Sequence, residues 1–155
     1  MFDDLRDLYQ EVILDHGRKP RNFRRLEDAD LTARGDNPMC GDRMELFLKL
    51  SPGGTIEDAA FQGRGCAISM ASASLMTETV KGKSPAEAHR LGDGFRTLAM
   101  SGTCPDCGAE LADEMERLQP LSGVHEFPSR VKCATLAWHT LNAALDGGTK
   151  EASSE

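Results

Sequence analysis

Leu5, Leu8, Tyr9, Val12 and Ile13 recur at i, i+3, i+4, i+7 and i+8, the apolar stripe of an amphipathic helix. Asp3 and Asp4 suit its first turn, and Gly17 suits the position just past its end. The polar stretch Arg18-Lys19-Pro20-Arg21-Asn22 follows as a basic connector, either a solvated loop or a docking patch for an acidic partner. From Met44 the period changes to two. Met44, Leu46, Leu48 and Leu50 alternate with Glu45, Phe47 and Lys49, which predicts a strand with one wet face. Pro52-Gly53-Gly54 turns the chain, and Thr55 to Gln62 reads as the returning strand. The segment before Pro38 adds a third antiparallel strand to this reading.

After Gly65 the pattern becomes helical again. Residues 67–81 predict a helix rich in small side chains and closed by Gly82. Ser84-Pro85-Ala86-Glu87 is a capping box with proline at the first helical position, so another helix starts there and runs to about Met100. A weaker helical segment covers 110–118. The last helix runs from about Arg130 to Leu145, with Ala134, Ala137, Trp138, Leu141 and Leu145 on one face. The order of elements predicts an α+β fold: a small three-stranded antiparallel sheet, helices on one of its faces, an N-terminal helix and a long C-terminal helix. There is no internal repeat, so residues 1–147 read as a single domain and 148–155 as a disordered polar tail.

Length and charge narrow the function classes. A chain of 155 residues is long enough to bury a real core. Its formal charge of −7 argues against a phosphate-backbone partner, so no nucleic acid is expected. No stretch approaches the roughly 20 apolar residues that span a bilayer, so no membrane association is expected. The acidic start Met1-Phe2-Asp3-Asp4 has no signal-peptide character, which predicts a cytoplasmic, reducing location. There, five cysteines read as metal ligands or reactive thiols rather than as disulfides.

Three of those cysteines stand where predicted loops meet strands or helices, each in a setting that suits anionic sulfur. Cys40-Gly41-Asp42 puts two donor side chains on one side of an extended backbone, and Gly41 allows close approach to an ion. Cys66 opens a helix, where free N–H groups favour a thiolate. Cys133 is expected in the first turn of the last helix, beside Lys132. Three thiolates and the Asp42 carboxylate complete a tetrahedral set for zinc, or a labile seat for iron and sulfide.

At these residues the chain resembles the SufU/IscU group of iron–sulfur cluster assembly proteins. The resemblance rests on Asp15-His16 with Pro20-Arg21-Asn22, on Asn37-Pro38-Met39-Cys40-Gly41-Asp42, and on Phe61-Gln62-Gly63-Arg64-Gly65-Cys66-Ala67-Ile68-Ser69. Ala71-Ser72-Ala73-Ser74, Val80-Lys81-Gly82-Lys83 and Arg130-Val131-Lys132-Cys133-Ala134-Thr135-Leu136-Ala137-Trp138 extend it. Phe127-Pro128-Ser129-Arg130-Val131-Lys132-Cys133 stands where IscU-type proteins carry a Leu-Pro-Pro-Val-Lys chaperone motif, and residues of roughly 86–121 resemble the SufU-type insertion. The SufU branch is therefore favoured. That resemblance implies zinc at Cys40, Asp42, Cys66 and Cys133, and persulfide sulfur accepted by Cys40 from a PLP-dependent, SufS-like cysteine desulfurase. It also implies onward delivery to a downstream cluster scaffold or apo-acceptor protein. The alternative it offers is an IscU-type, non-enzymatic scaffold that assembles a transient 2Fe–2S cluster, or holds iron, on the same four residues. A zinc-stabilised interaction module without sulfur chemistry is the third reading.

Cys104-Pro105-Asp106-Cys107-Gly108 lies outside that pattern. It is read as an idle turn, a second metal site completed by His125 or His89, or a redox dithiol. His16 is expected to suit a helix C-terminus, and His139 to pack beside Trp138.

Overall fold

The structure is a computed structural model that describes residues 2–38, 41–104, 109–146 and 150–153, with side chains for 9–38, 41–104 and 110–146. The elements are α1 (Phe2–Arg18), β1 (Leu31–Asn37), β2 (Asp42–Leu50), β3 (Ile56–Arg64), α2 (Ala67–Val80), α3 (Pro85–Ser101), α4 (Ala112–Leu118), α5 (Pro128–Leu145) and β4 (Lys150–Ser153). Short 3-10 segments, Ala109–Leu111 and Gln119–Glu126, flank α4.

The α+β class and the antiparallel trio β1, β2 and β3 are as the periodicity predicts. The sheet order is β3-β2-β1-β4, and β4 pairs parallel with β1. Residues 150–153 thus form an edge strand within the stretch expected to be a disordered tail. The physical reason is the outer edge of β1, whose unpaired N–H and C=O groups accept any strand that reaches them. Composition carries no signal for that pairing.

Helices α2 and α5 pack on the sheet, and α1 and α3 pack on them. Leu46, Leu48, Phe61, Leu75, Met76, Leu136 and Leu141 form one continuous core between sheet and helices. Trp138 stacks on Phe95 of α3, with ring centroids 5.2 Å apart. α5 comes so near β1 that a Cβ on Gly35 would lie 2.0 Å from Thr140 Oγ1. The opposite face of β2 is not uniformly wet. Phe47 is only 2% exposed, and the Arg25 guanidinium lies over its ring at 5.4 Å.

The first helix does not stop before Gly17 but continues to Arg18. A Cβ on Gly17 would sit 3.3 Å from Ala67, so this glycine permits close contact with the start of α2. The basic connector after it is pinned to the body of the fold. The Arg21 N–H donates to Ser74 Oγ at 2.8 Å, and Asn22, with φ 60°, donates through Nδ2 to Thr77 Oγ1 at 3.1 Å. The Asn22 carbonyl accepts from the Phe61 N–H, and Phe23 meets Phe61 edge-on. Ser84 and Glu87 form the expected reciprocal cap on α3, which ends at Gly102 with φ 85°.

Candidate metal centre

One end of the sheet gathers the donor residues. Asn37 and Asp42 are register partners at the β1–β2 turn, and Arg43 pairs with Arg64 where β3 leaves the sheet. That register sets the turn and the β3–α2 junction side by side. The Gly41 N–H donates to the Asn37 carbonyl at 2.9 Å, closing a four-residue connection, and Gly41 takes φ 72°. At Gly41 this departs from the extended backbone that simple alternation predicts. Cys40 itself lies outside the described residues.

Cys66 is the N-cap residue of α2, as predicted, and its sulfur accepts from the Ser69 N–H at 3.4 Å. Cys133 lies in the second turn of α5 rather than the first, because Pro128 already starts the helix. It is buried, whereas Cys66 is exposed. One ligand atom each from Asp42, Cys66 and Cys133 lies within 4.8 Å of the other two. Donors that each reach 2.0–2.3 Å to one tetrahedral zinc ion stand about 3.3–3.8 Å apart, inside that limit.

The Asp42 carboxylate is completely buried. Its Oδ1 accepts from the Cys66 N–H at 3.1 Å, and its Oδ2 from Asn37 Nδ2 at 3.2 Å. No cationic side chain among the described residues forms an ion pair with it. A buried carboxylate beside two sulfurs, closed in by amides alone, is a cradle for a cation rather than a self-sufficient cluster. Backbone space is committed to the same end. A Cβ on Gly65 would lie 2.6 Å from Asp42 Oδ1 and 3.0 Å from Ser69 Oγ. The donor chemistry fits zinc, and sulfur-rich ligation also suits iron–sulfur chemistry.

Residues 8–134 match the NifU-like N terminal domain. The chain belongs to that family. It is 44% identical over 142 residues to the zinc-dependent sulfurtransferase SufU of Bacillus subtilis, covering 92% of each chain. It is 39% identical over 141 residues to the iron–sulfur cluster assembly scaffold protein IscU of Streptococcus pyogenes, covering 91% of this chain and 84% of the relative. Among solved structures it resembles a putative iron–sulfur cluster assembly scaffold protein for the SUF system from Fervidobacterium islandicum, with a TM-score of 0.78 and 32% identity. That likeness covers 87% of this chain and 94% of the other.

In this NifU-like domain two positions that line the donor cluster escape a reading built on ligand types, Asn37 and Gly65. An asparagine at a strand end whose side chain is fully buried is the available signal for the first, since strands disfavour it. The second is visible only once Asp42 and the β3–α2 junction are in place.

His16 is buried with its Nδ1 2.7 Å from Ser74 Oγ, and burial holds its pKa below the ordinary imidazole value. Burial also lowers the pKa of His139. His125 Nδ1 lies against the Ser122 carbonyl at 2.8 Å, and His89 lies 3.5 Å from Asp146. Among the described residues only Asp42, Cys66 and Cys133 group as metal donors. Cys104 is half-buried against the core and disulfide-bonded, which departs from the expectation of metal ligands or reactive thiols; Cys107 falls outside the described residues. Among the described residues no helix is long and apolar enough to cross a membrane.

Proposed function

We propose that this protein handles sulfur in iron–sulfur cluster assembly, as a zinc-dependent acceptor of persulfide sulfur from a PLP-dependent cysteine desulfurase. The convergence of Asp42, Cys66 and Cys133 at one sheet end carries the reading, with Cys40 two residues from Asp42 as the fourth donor. The likeness to a relative named as a zinc-dependent sulfurtransferase supports it. When bound, zinc keeps the ligand thiols deprotonated at neutral pH. Cys40 is the acceptor: its thiolate attacks the outer sulfur of the desulfurase persulfide, forming a new S–S bond as the partner's cysteine leaves as thiolate. Cys66 and Cys133 are the sulfur donors that stay, the first on a helix cap and the second inside the fold. Asp42 is a hard oxygen donor in a soft set, which favours exchange over tight storage. A cytoplasmic location suits free ligand thiols, and the onward recipient is a cluster scaffold or apo-acceptor protein.

Metal analysis of the purified protein together with a desulfurase-stimulation assay tests this reading. About one zinc per chain, with turnover stimulated by the native protein and not by Cys40→Ala, is the expected result. Full stimulation by Cys40→Ala would remove Cys40 from the acceptor role. The second reading, a 2Fe–2S scaffold on the same four residues, is favoured by the IscU relative. Anaerobic incubation with iron, cysteine and desulfurase decides between them, since only a scaffold acquires a chromophore that passes to an apo-ferredoxin. A zinc-stabilised interaction module would leave desulfurase turnover unchanged.

A further inference from the structure

Asn37 is a polar side chain, not itself a candidate ligand, that touches two of the candidate metal donors. It is completely buried. Its Nδ2 lies 3.2 Å from Asp42 Oδ2 and 3.7 Å from Cys133 Sγ. Its Oδ1 is buried with no hydrogen-bond partner among the described residues. Chemistry fixes the orientation of the amide. A carboxylate and a cysteine thiolate both accept, so the NH2 group must face them and the carbonyl must turn away. An asparagine kept only for architecture would satisfy both ends; this one leaves its acceptor unpaired so that its donors reach the ligands.

We propose that Asn37 is a positioning residue of the metal centre, holding Asp42 and Cys133 in place as resident ligands and damping the nucleophilicity of the Cys133 sulfur. An N–H donor aimed at a metal-bound thiolate withdraws density from sulfur and limits its reactivity, as outer hydrogen bonds do at metal sites generally. The Asn37 carbonyl also accepts from the Gly41 N–H, so one residue anchors both ends of the connection that contains Cys40. Sulfur arriving at the site is thereby directed to Cys40, and Cys133 is kept out of the exchange. This inference rests on the metal-binding reading above.

The test compares native protein with Asn37→Leu, which keeps the volume but removes the donor, and with Asn37→Ala. Three readouts are needed: zinc affinity by chelator competition, the absorption spectrum of the cobalt-loaded protein, and the urea midpoint of the metal-free protein. Either variant should bind zinc roughly 10–100-fold more weakly. The thiolate-to-cobalt charge-transfer band should move to lower energy, because sulfur loses a hydrogen bond. A cobalt spectrum and zinc affinity unchanged in both variants would overturn the proposal. So would a fall in the metal-free urea midpoint with the cobalt band unmoved, which marks a purely structural asparagine. If native protein binds neither zinc nor cobalt, the metal-binding reading fails first and takes this one with it. Tight native binding with unaltered variants sinks the role of Asn37 alone.

Discussion

Single atoms decide the chemistry of the site. Asp42 Oδ1 is held by the Cys66 N–H, and the space beside it is kept open by the missing side chain of Gly65. Gly65→Ala should therefore push the carboxylate off its donors and weaken zinc binding roughly 10–100-fold, measurable by chelator competition. A variant with native affinity would show that the cradle tolerates a shifted Asp42. His16 offers a second prediction, on stability. Ser74 Oγ accepts the Arg21 N–H and pairs with His16 Nδ1 at 2.7 Å, which holds the imidazole in the body of the fold. Burial is the main cause of its lowered pKa and Arg21 the next, opposed by Glu78 and Asp15. A base with a depressed folded pKa leaves the unfolded chain binding more protons, so stability rises with pH through that window. Folding stability should be complete above about pH 6.5 and fall as the pH drops toward the folded value. Urea midpoints from pH 7.5 to 5 check this, and His16→Asn should flatten part of the slope. His139, shifted the same way, retains the remainder.

At the scale of elements, the site depends on how closely α5 lies against the sheet. Cys133 reaches Asn37 and Asp42 because β1 presents Gly35 to Thr140, with no room for a Cβ between them. Gly35→Ala should overpack this contact and cost about 1–3 kcal/mol. It should also retract Cys133, so the urea midpoint and the zinc affinity fall together. Native metal binding in a destabilised variant would separate the helix contact from the site. The turns at the two ends of the α2–α3 connection contrast with this. Their capping box and Gly82 were readable from local spacing, because caps involve residues three or four apart.

For the whole molecule, the candidate metal donors come from three places in the chain: the β1–β2 turn, the β3–α2 junction and α5. A metal bound to all three ties sheet to helices and stabilises only the folded state. Removing it with a strong chelator should lower the melting temperature. With free zinc a thousandfold above Kd the loss is about 4 kcal/mol, equivalent to about 8–16 °C for a domain of this size. Calorimetry with and without chelator measures this, and an unchanged Tm would mean the metal does not bridge the elements. The same connectivity explains which parts of the site sequence could and could not give. Cys66 at a helix cap follows from the change of period at Gly65, a local signal. Cys133 is displaced by one turn from its expected place, because Pro128 starts α5 earlier than the apolar stripe implies.

The sequence by itself determined the element order, the antiparallel trio, the helix caps and the types of donor atom. Each of these depends on residues within a few positions of one another, or on side-chain chemistry that no fold alters. Tertiary structure decided the rest. It brought Asp42, Cys66 and Cys133 to one sheet end, turned the Asn37 amide toward two of them, closed the sheet edge with residues 150–153, and put Phe47 beneath Arg25. Those are contacts between residues distant in the chain, set by strand register and helix packing, and neither periodicity nor spacing encodes them.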